Sequence, residues 1–335
     1  MRSELVKRFI SERACDQVLG YHDLDYQAGM GAILQDEFRQ ICLYDSEGQL
    51  SGYLPYREMK GPAGAIVNAL PFFGPNGLIA ARDGGWLKKL LETFRETVSR
   101  PEVLSAVIYT PFLVDPNVIG DIFKPDFKVS KTTQYLDLKK SGPWPAARRG
   151  DIKKAQKASF VVRLGQLPDI ELLYHIYVQN CGDAGIPLKP RSYFELTMKL
   201  AMQSQSINQK QGPLWLTLEF EGRIVAGLLT MRGGCTASYT IPIAASEIRS
   251  LQPNSLLIDA AINMCRDAGY RYWNFESSPS TNDPVYRYKE RWGSQSSAYE
   301  IQGIYPNGAA RVKSLPPEEL ARFYSGYFAY PFNQG

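Results

Sequence analysis

The chain has 335 residues, enough for two domains of ordinary size, and its 44% hydrophobic and 21% charged residues are the balance of a globular protein in water. A formal net charge of +4 suits a polyanionic ligand but is too mild to point to duplex DNA, so no DNA partner is expected. No apolar run approaches the ~20 residues that span a bilayer. The charged opening Met1–Arg8 lacks the apolar core and small-residue cleavage site of a signal peptide, which predicts a cytoplasmic protein without a transmembrane segment.

In chain order, Phe38–Tyr44 and Leu50–Tyr56 read as strands around a hairpin turn at Asp45–Gly48, and Ala65–Leu70 as a third strand. Pro71–Gly77 is loop by its Gly and Pro content. Asp83 is expected to cap an amphipathic helix with Trp86, Leu87, Leu90, Leu91, Phe94 and Val98 inward. Val103–Tyr109 and Thr132–Leu138 are further strands. Ser141-Gly-Pro-Trp-Pro145 is the clearest punctuation, and the domain boundary is placed there.

Beyond it come a basic helix (Arg148–Lys157), a strand (Phe160–Leu164) and two helices (Asp169–Cys181, Arg191–Gln203). Leu214–Phe220 and Arg223–Met231 flank the tight turn Glu221-Gly222, with Thr236–Ile241 as a third antiparallel strand. Asn254 or Ser255 is expected to cap a helix that ends at Gly269, followed by the strand Arg271–Phe275. Hairpin, strand, helix, strand is the order of a GNAT core. The fold class expected is α/β (α+β), a mixed, mostly antiparallel sheet flanked by helices.

The composition also narrows the chemistry. Five cysteines without a CxxC pair argue against disulfides and against zinc. The two histidines, His22 and His175, stand in no metal-binding spacing, and no G-x-S-x-G elbow is present. Neither a metal nor a serine-type triad is expected.

Several stretches together resemble the FemAB family of non-ribosomal peptidyltransferases. They are Gly222-Arg-Ile-Val-Ala-Gly227, Ala237-Ser-Tyr-Thr240, the Leu256–Gly269 helix, Trp273-Asn-Phe-Glu276 and Val285-Tyr-Arg-Tyr-Lys-Glu-Arg-Trp-Gly293. The last is similar to the family's FK…(F/W)G signature, with Tyr288 where Phe is usual. Gly52-Tyr-Leu-Pro and Leu70-Pro-Phe-Phe-Gly-Pro extend the likeness into the first half. The resemblance implies two GNAT-like domains, residues 1–145 plus a returning C-terminal segment 316–335, and residues 146–315. Its implied activity is aminoacyl transfer from aminoacyl-tRNA, a co-substrate rather than a cofactor, to an amine of a nucleotide- or lipid-linked peptidoglycan precursor or related acceptor. A peripheral membrane contact is compatible with such an acceptor.

The same resemblance gives the site. Lys289 would stabilise charge on the reacting carbonyl, and Tyr239 would hold the acceptor or relay the amine proton. Arg191 and Tyr193 would bind an acceptor diphosphate, with Tyr288 stacking on a base and Arg291 beside it. Each also has a plainer reading, as a solvated charge or a core aromatic. Arg148, Arg149, Lys153 and Lys154, within a basic run that includes Lys157, form either a solvated face or a phosphate-rich partner's seat. Acetyl-CoA-dependent GNAT enzymes carry an R-x-x-G-x-G/A turn, whereas here Gln252 and Asn254 occupy the glycine positions and Pro253 has no N–H. A coenzyme A or carrier thioester is the alternative donor, and a non-catalytic binding protein on the same fold is the alternative of another class.

Overall fold

The structure, a computed structural model, describes residues 2–12, 18–69, 79–80, 84–140, 142–206, 211–278 and 283–331. Leu70, the expected loop Pro71–Gly77, the expected cap Asp83, and Ser141 lie outside them. The chain starts with helices α1 (Arg2–Glu12) and α2 (Leu24–Leu34), which the sequence reading did not assign. Strands β1 (Glu37–Tyr44), β2 (Leu50–Gly61), β3 (Gly64–Asn68) and β4 (Ile79–Ala80) precede α3 (Gly84–Val98), β5 (Val103–Tyr109), α4 (Pro116–Phe123) and β6 (Phe127–Asp137). Then come α5 (Ala146–Gln156), β7 (Val161–Leu164), α6 (Ile170–Ala184), α7 (Arg191–Ser206), β8 (Gly212–Phe220), β9 (Arg223–Gly233) and β10 (Thr236–Ala244). The chain closes with α8 (Pro253–Asp267), β11 (Tyr272–Ser278), α9 (Pro284–Glu290), β12 (Gln295–Ile304), α10 (Ala309–Lys313) and α11 (Pro317–Phe323).

Two compact units result, residues 1–18, 30–133 and 297–335, and residues 19–29 and 134–296. The division thus falls inside β6 and β12 rather than at the Pro/Gly punctuation near residue 145. That punctuation is a turn packed within the second unit, where Trp144 meets Trp292 edge-on at 5.2 Å. The C-terminal segment joins the first unit over a longer span than expected, from Ser297 onward.

In the first unit the strand order is β1-β2-β3-β5-β12, with β4 beside β2. The register between β1 and β2 is set by the Asp45–Gly48 turn, closed by the Gly48 N–H donating to the Asp45 carbonyl at 3.0 Å. Of the expected stripe of α3, Leu90, Leu91, Phe94 and Val98 are buried against Leu54, Val67 and Ile108, while Trp86 and Leu87 are half-buried. Repeating apolar residues every three to four positions put them on one helix face.

In the second unit the order is β11-β10-β9-β8-β7. β8, β9 and β10 form an antiparallel meander, and β11 runs parallel to β10 after the α8 crossover. Glu221 and Gly222 both adopt left-handed φ, +50° and +74°, the geometry a two-residue hairpin needs. One sheet face packs on α8 through Leu216, Leu228, Leu257, Ala261, Trp273 and Phe275. The other carries α6 and α7, with the Trp215 indole N–H donating to Thr197 Oγ1 at 3.0 Å.

A short turn, Gly20–His22, lies on this second face against β9. Backbone meets backbone there: a Cβ on Gly20 would stand 2.6 Å from Arg232 N, and one on Gly233 would stand 2.4 Å from Leu19 C. Neither neighbour is a side chain that could turn away. Gly233→Ala is therefore expected to destabilise the protein by about 1–3 kcal/mol, read as a lower urea midpoint. An unchanged midpoint would show that the turn is not seated there.

Candidate functional site

β10 and β11 pair in parallel over only three positions, Thr236↔Tyr272, Ala237↔Trp273 and Ser238↔Asn274. Past that point β10 carries a bulge: Tyr239 faces Thr230 and Ile241 faces Leu229, so Thr240 has no opposite residue. On β11, Glu276 has φ +59°, a left-handed conformation rarely held by a residue with a side chain. The two strands part between these irregularities.

Side chains take over the hydrogen bonding at this opening. Asn274 Oδ1 accepts the Glu276 N–H at 2.9 Å, and the Thr240 hydroxyl donates to the Ser238 carbonyl at 3.1 Å. Lys289, on α9, donates to the carbonyls of Glu276 (3.2 Å) and Ser277 (2.7 Å) and to Ser278 Oγ (3.0 Å). Tyr21, from the turn on β9, spans the gap: its hydroxyl donates to Glu276 Oε1 at 3.2 Å and lies 3.0 Å from Thr240 Oγ1. Burial, reinforced by the Glu276 carboxylate, pushes the Tyr21 pKa well above that of a free phenol, so Tyr21 stays a donor. Glu276 and Thr240 are half-buried.

Lys289 is 3% exposed. An ammonium has three protons, and here three acceptors from its own chain take them. Burial lowers its pKa to about 8, against the opposing pull of the Glu276 and Asp283 carboxylates. Lys289 is thus placed to hold the end of β11 rather than to touch a carbonyl directly.

Tyr239 points to the other face, its ring 5.8 Å from Phe275 and beside Tyr288. Burial first, and then the neighbouring Tyr288, raise its pKa well above the usual value, with Arg148 opposing. Tyr288, Trp292 and Arg148 come together there. The Arg148 guanidinium lies 4.1 Å from the Tyr288 ring centroid and 5.1 Å from that of Trp292. One face of Tyr288 is thereby covered.

Two sequence-based expectations change. Arg148 is not part of the basic surface: it is 1% exposed and bonded to Asp151 (2.7 Å), the Tyr288 carbonyl (2.9 Å) and Ser255 Oγ (3.4 Å). Its place in the 3.6-residue repeat of α5 turns it inward with Ile152 and Ala155, while Arg149, Lys153 and Lys154 stay exposed. Nor do Arg191 and Tyr193 form a pair. Arg191 is exposed and bound to Glu171 (2.7 Å) and Glu195 (3.3 Å), whereas Tyr193, two positions on, is buried against Tyr26. Arg291 is exposed at the end of α9.

The start of α8 also differs from expectation. The helix begins at Pro253, and the residue before it, Gln252, is left-handed (φ +64°) with no side-chain cap, so neither Asn254 nor Ser255 caps it. Pro253 offers no N–H, the Ser255 N–H donates to the Gln252 carbonyl at 3.1 Å, and Ser255 lies buried beneath Arg148. The open row of N–H groups that cradles a pyrophosphate is missing here. The residues present do not fit a coenzyme A pyrophosphate at this helix end.

A separate hollow of about 250 Å³ lies beside Trp144 and Trp292, with Leu136, Pro143 and Lys140 in its wall. Among the described residues no three His, Cys, Asp or Glu side chains gather as a metal ion would need. No described helix is long and apolar enough to cross a membrane. The sequence reading missed Tyr21, Thr240 and Glu276 as a group. They are 219 and 36 positions apart; Thr240 and Glu276 each end a recognised stretch, Ala237-Ser-Tyr-Thr240 and Trp273-Asn-Phe-Glu276, and Tyr21 stands in none.

Residues 173–290 match the family model described as an acetyltransferase (GNAT) domain. No curated protein matches the chain in sequence. Among solved structures the chain is similar to FemX, with a TM-score of 0.68 at 12% identity, covering 90% of this chain and 95% of that one. It is also similar to the C-terminal domain of a putative lysylphosphatidylglycerol synthetase from Agrobacterium fabrum (TM-score 0.57, 14% identity, 95% of each chain). A tandem GNAT protein from the clavulanic acid biosynthesis pathway gives 0.51 at 12% identity, over 91% of this chain and 94% of that one. The fold is like that of FemX, and the residues that match the GNAT domain model lie in the second unit.

The depressed Lys289 pKa has a thermodynamic signature. Between about 8 and the ordinary lysine value the unfolded chain binds more protons than the folded one, so stability rises with pH there. Relative to Lys289→Met, wild type should gain about 2 kcal/mol between pH 7.5 and 10, measured as the difference of two urea titrations. A difference that does not move with pH would mean that Lys289 titrates normally.

Proposed function

We propose that the protein is an aminoacyltransferase that moves an aminoacyl group from aminoacyl-tRNA to an amine of a peptidoglycan precursor or related acceptor. The observation that carries this reading is the closed start of α8. An acyltransferase domain without a pyrophosphate seat at that helix end calls for a donor held by other means. The exposed row Arg149, Lys153 and Lys154 on α5 suits the phosphates of an RNA donor. The likeness to FemX and to a domain named for lysylphosphatidylglycerol synthesis points the same way.

In this reaction the acceptor nitrogen attacks the ester carbonyl directly, a C–N bond forms, and the 3′ oxygen of the terminal ribose leaves with a proton. No covalent enzyme intermediate is needed. Lys289 contributes by fixing the end of β11, and Tyr239 by forming the aromatic wall behind the opening.

Binding to charged tRNA and to acetyl-CoA across a salt series tests the donor. Micromolar, salt-sensitive binding of tRNA is expected. In the variant Arg149→Glu/Lys153→Glu/Lys154→Glu it should weaken at least tenfold and lose about 2 of the log–log salt slope. Tight acetyl-CoA binding without tRNA binding would replace this reading with a thioester-dependent acyltransferase.

A further inference from the structure

The opening between β10 and β11 holds one carboxylate. Glu276 sits two residues past the last parallel pair, in a left-handed conformation fixed on both sides, by Asn274 at its N–H and by Lys289 at its carbonyl. A strand end could finish with an ordinary extended residue. Here the chain instead keeps a glutamate at φ +59° and aims Oε1 at a buried tyrosine hydroxyl brought from residues far away in sequence. Strain held in place by surrounding bonds is a mark of a site that must be pre-set. Among the described residues, those about Glu276 include Tyr21 from the turn on β9, Thr240 from the β10 bulge, and Lys289 from α9 with Asp283 behind it.

We infer that Glu276 is the catalytic base of the acyl transfer and that Tyr21 is the positioning residue that orients its carboxylate toward the opening. This rests on the reading of the protein as an amine acyltransferase, and it does not depend on which donor is used. The step balances. The acceptor amine attacks the acyl carbon with its lone pair, and one N–H proton passes to the Glu276 carboxylate. The tetrahedral intermediate collapses with cleavage of the bond to the leaving atom, the oxygen of an ester or the sulfur of a thioester, which takes that proton from the Glu276 carboxylic acid. The products are an amide and a free hydroxyl, or a free thiol from a thioester, with Glu276 ionised again.

Tyr21 does not itself exchange the proton. Its hydroxyl donates to Oε1, and Thr240 Oγ1 stands 3.0 Å from the tyrosine oxygen on the β10 side. The Gly20–His22 turn is locked onto β9 by backbone contact at Gly20 and Gly233, so the phenol cannot drift.

The test compares wild type, Glu276→Gln and Tyr21→Phe on charged tRNA and, in parallel, on acetyl-CoA, with a saturating small amine acceptor and a thermal melt of each variant. Glutamine can still accept from Tyr21, so Glu276→Gln should melt as wild type does. On whichever donor wild type uses, it should lose at least 100-fold in kcat with KM within threefold, and its rate should lose the acidic limb of the pH profile. Tyr21→Phe should lose about tenfold in kcat and keep that limb, because the base remains. Wild-type transfer from acetyl-CoA alone would overturn the donor reading but leave these ratios to decide the inference. Glu276→Gln with near wild-type kcat and pH profile would overturn the inference and leave the donor reading standing. A wild type inactive on both donors would overturn both.

Discussion

The parallel ladder of β10 and β11 stops after three residue pairs, and the site follows from how the chain satisfies the backbone groups released there. A buried amide or carbonyl without a partner costs about 1–3 kcal/mol, so a gap opened inside a sheet must be lined with donors and acceptors. Asn274 answers the Glu276 amide, Thr240 the Ser238 carbonyl, and Lys289 the carbonyls of Glu276 and Ser277. Farther along β10, Asn180 of α6 takes both backbone groups of Ala244, each at 3.1 Å. The gap is thus a built feature, and Glu276 is held at its edge by bonds that offset its strained backbone.

This accounting also explains the burial of a lysine. An ammonium alone in a protein interior is strongly disfavoured. Lys289 remains because three oxygens replace its water and two carboxylates lie near it. The Arg148 guanidinium solves the same problem differently, with Asp151, a carbonyl and two aromatic faces, and in doing so it covers the first turn of α8. Two buried cations therefore have structural work: Lys289 fixes the end of β11, and Arg148 covers the start of α8.

Much of the second unit was legible in the sequence because its signals are local. Glu221-Gly222 between alternating apolar runs specifies a hairpin, and the Leu257, Ala261 and Cys265 spacing specifies the inward face of α8. Less legible were features set by distant contacts. Nothing in the local run of α5 separates Arg148 from Arg149 except a burial that only α8 and α9 create. Tyr21 lies in a stretch with no period to read, and its role exists only where Gly20 meets Gly233. Neither the bulge at Thr240 nor the left-handed Glu276 has a residue-type signature, since both arise from the register of neighbouring strands. The basic run likewise reads as one cluster in sequence and divides into a buried and an exposed set only once the helix is placed.

The proposed place of acyl transfer is the opening between Thr240 and Glu276. A crystal structure with a stable 3′-aminoacylamide analogue of the terminal adenosine of charged tRNA tests it most directly. The account predicts the aminoacyl group in that opening, with its carbonyl on the side of Glu276 and the adenosine outside. An analogue seated instead in the hollow beside Trp144 and Trp292, with the opening between β10 and β11 unoccupied, would contradict it.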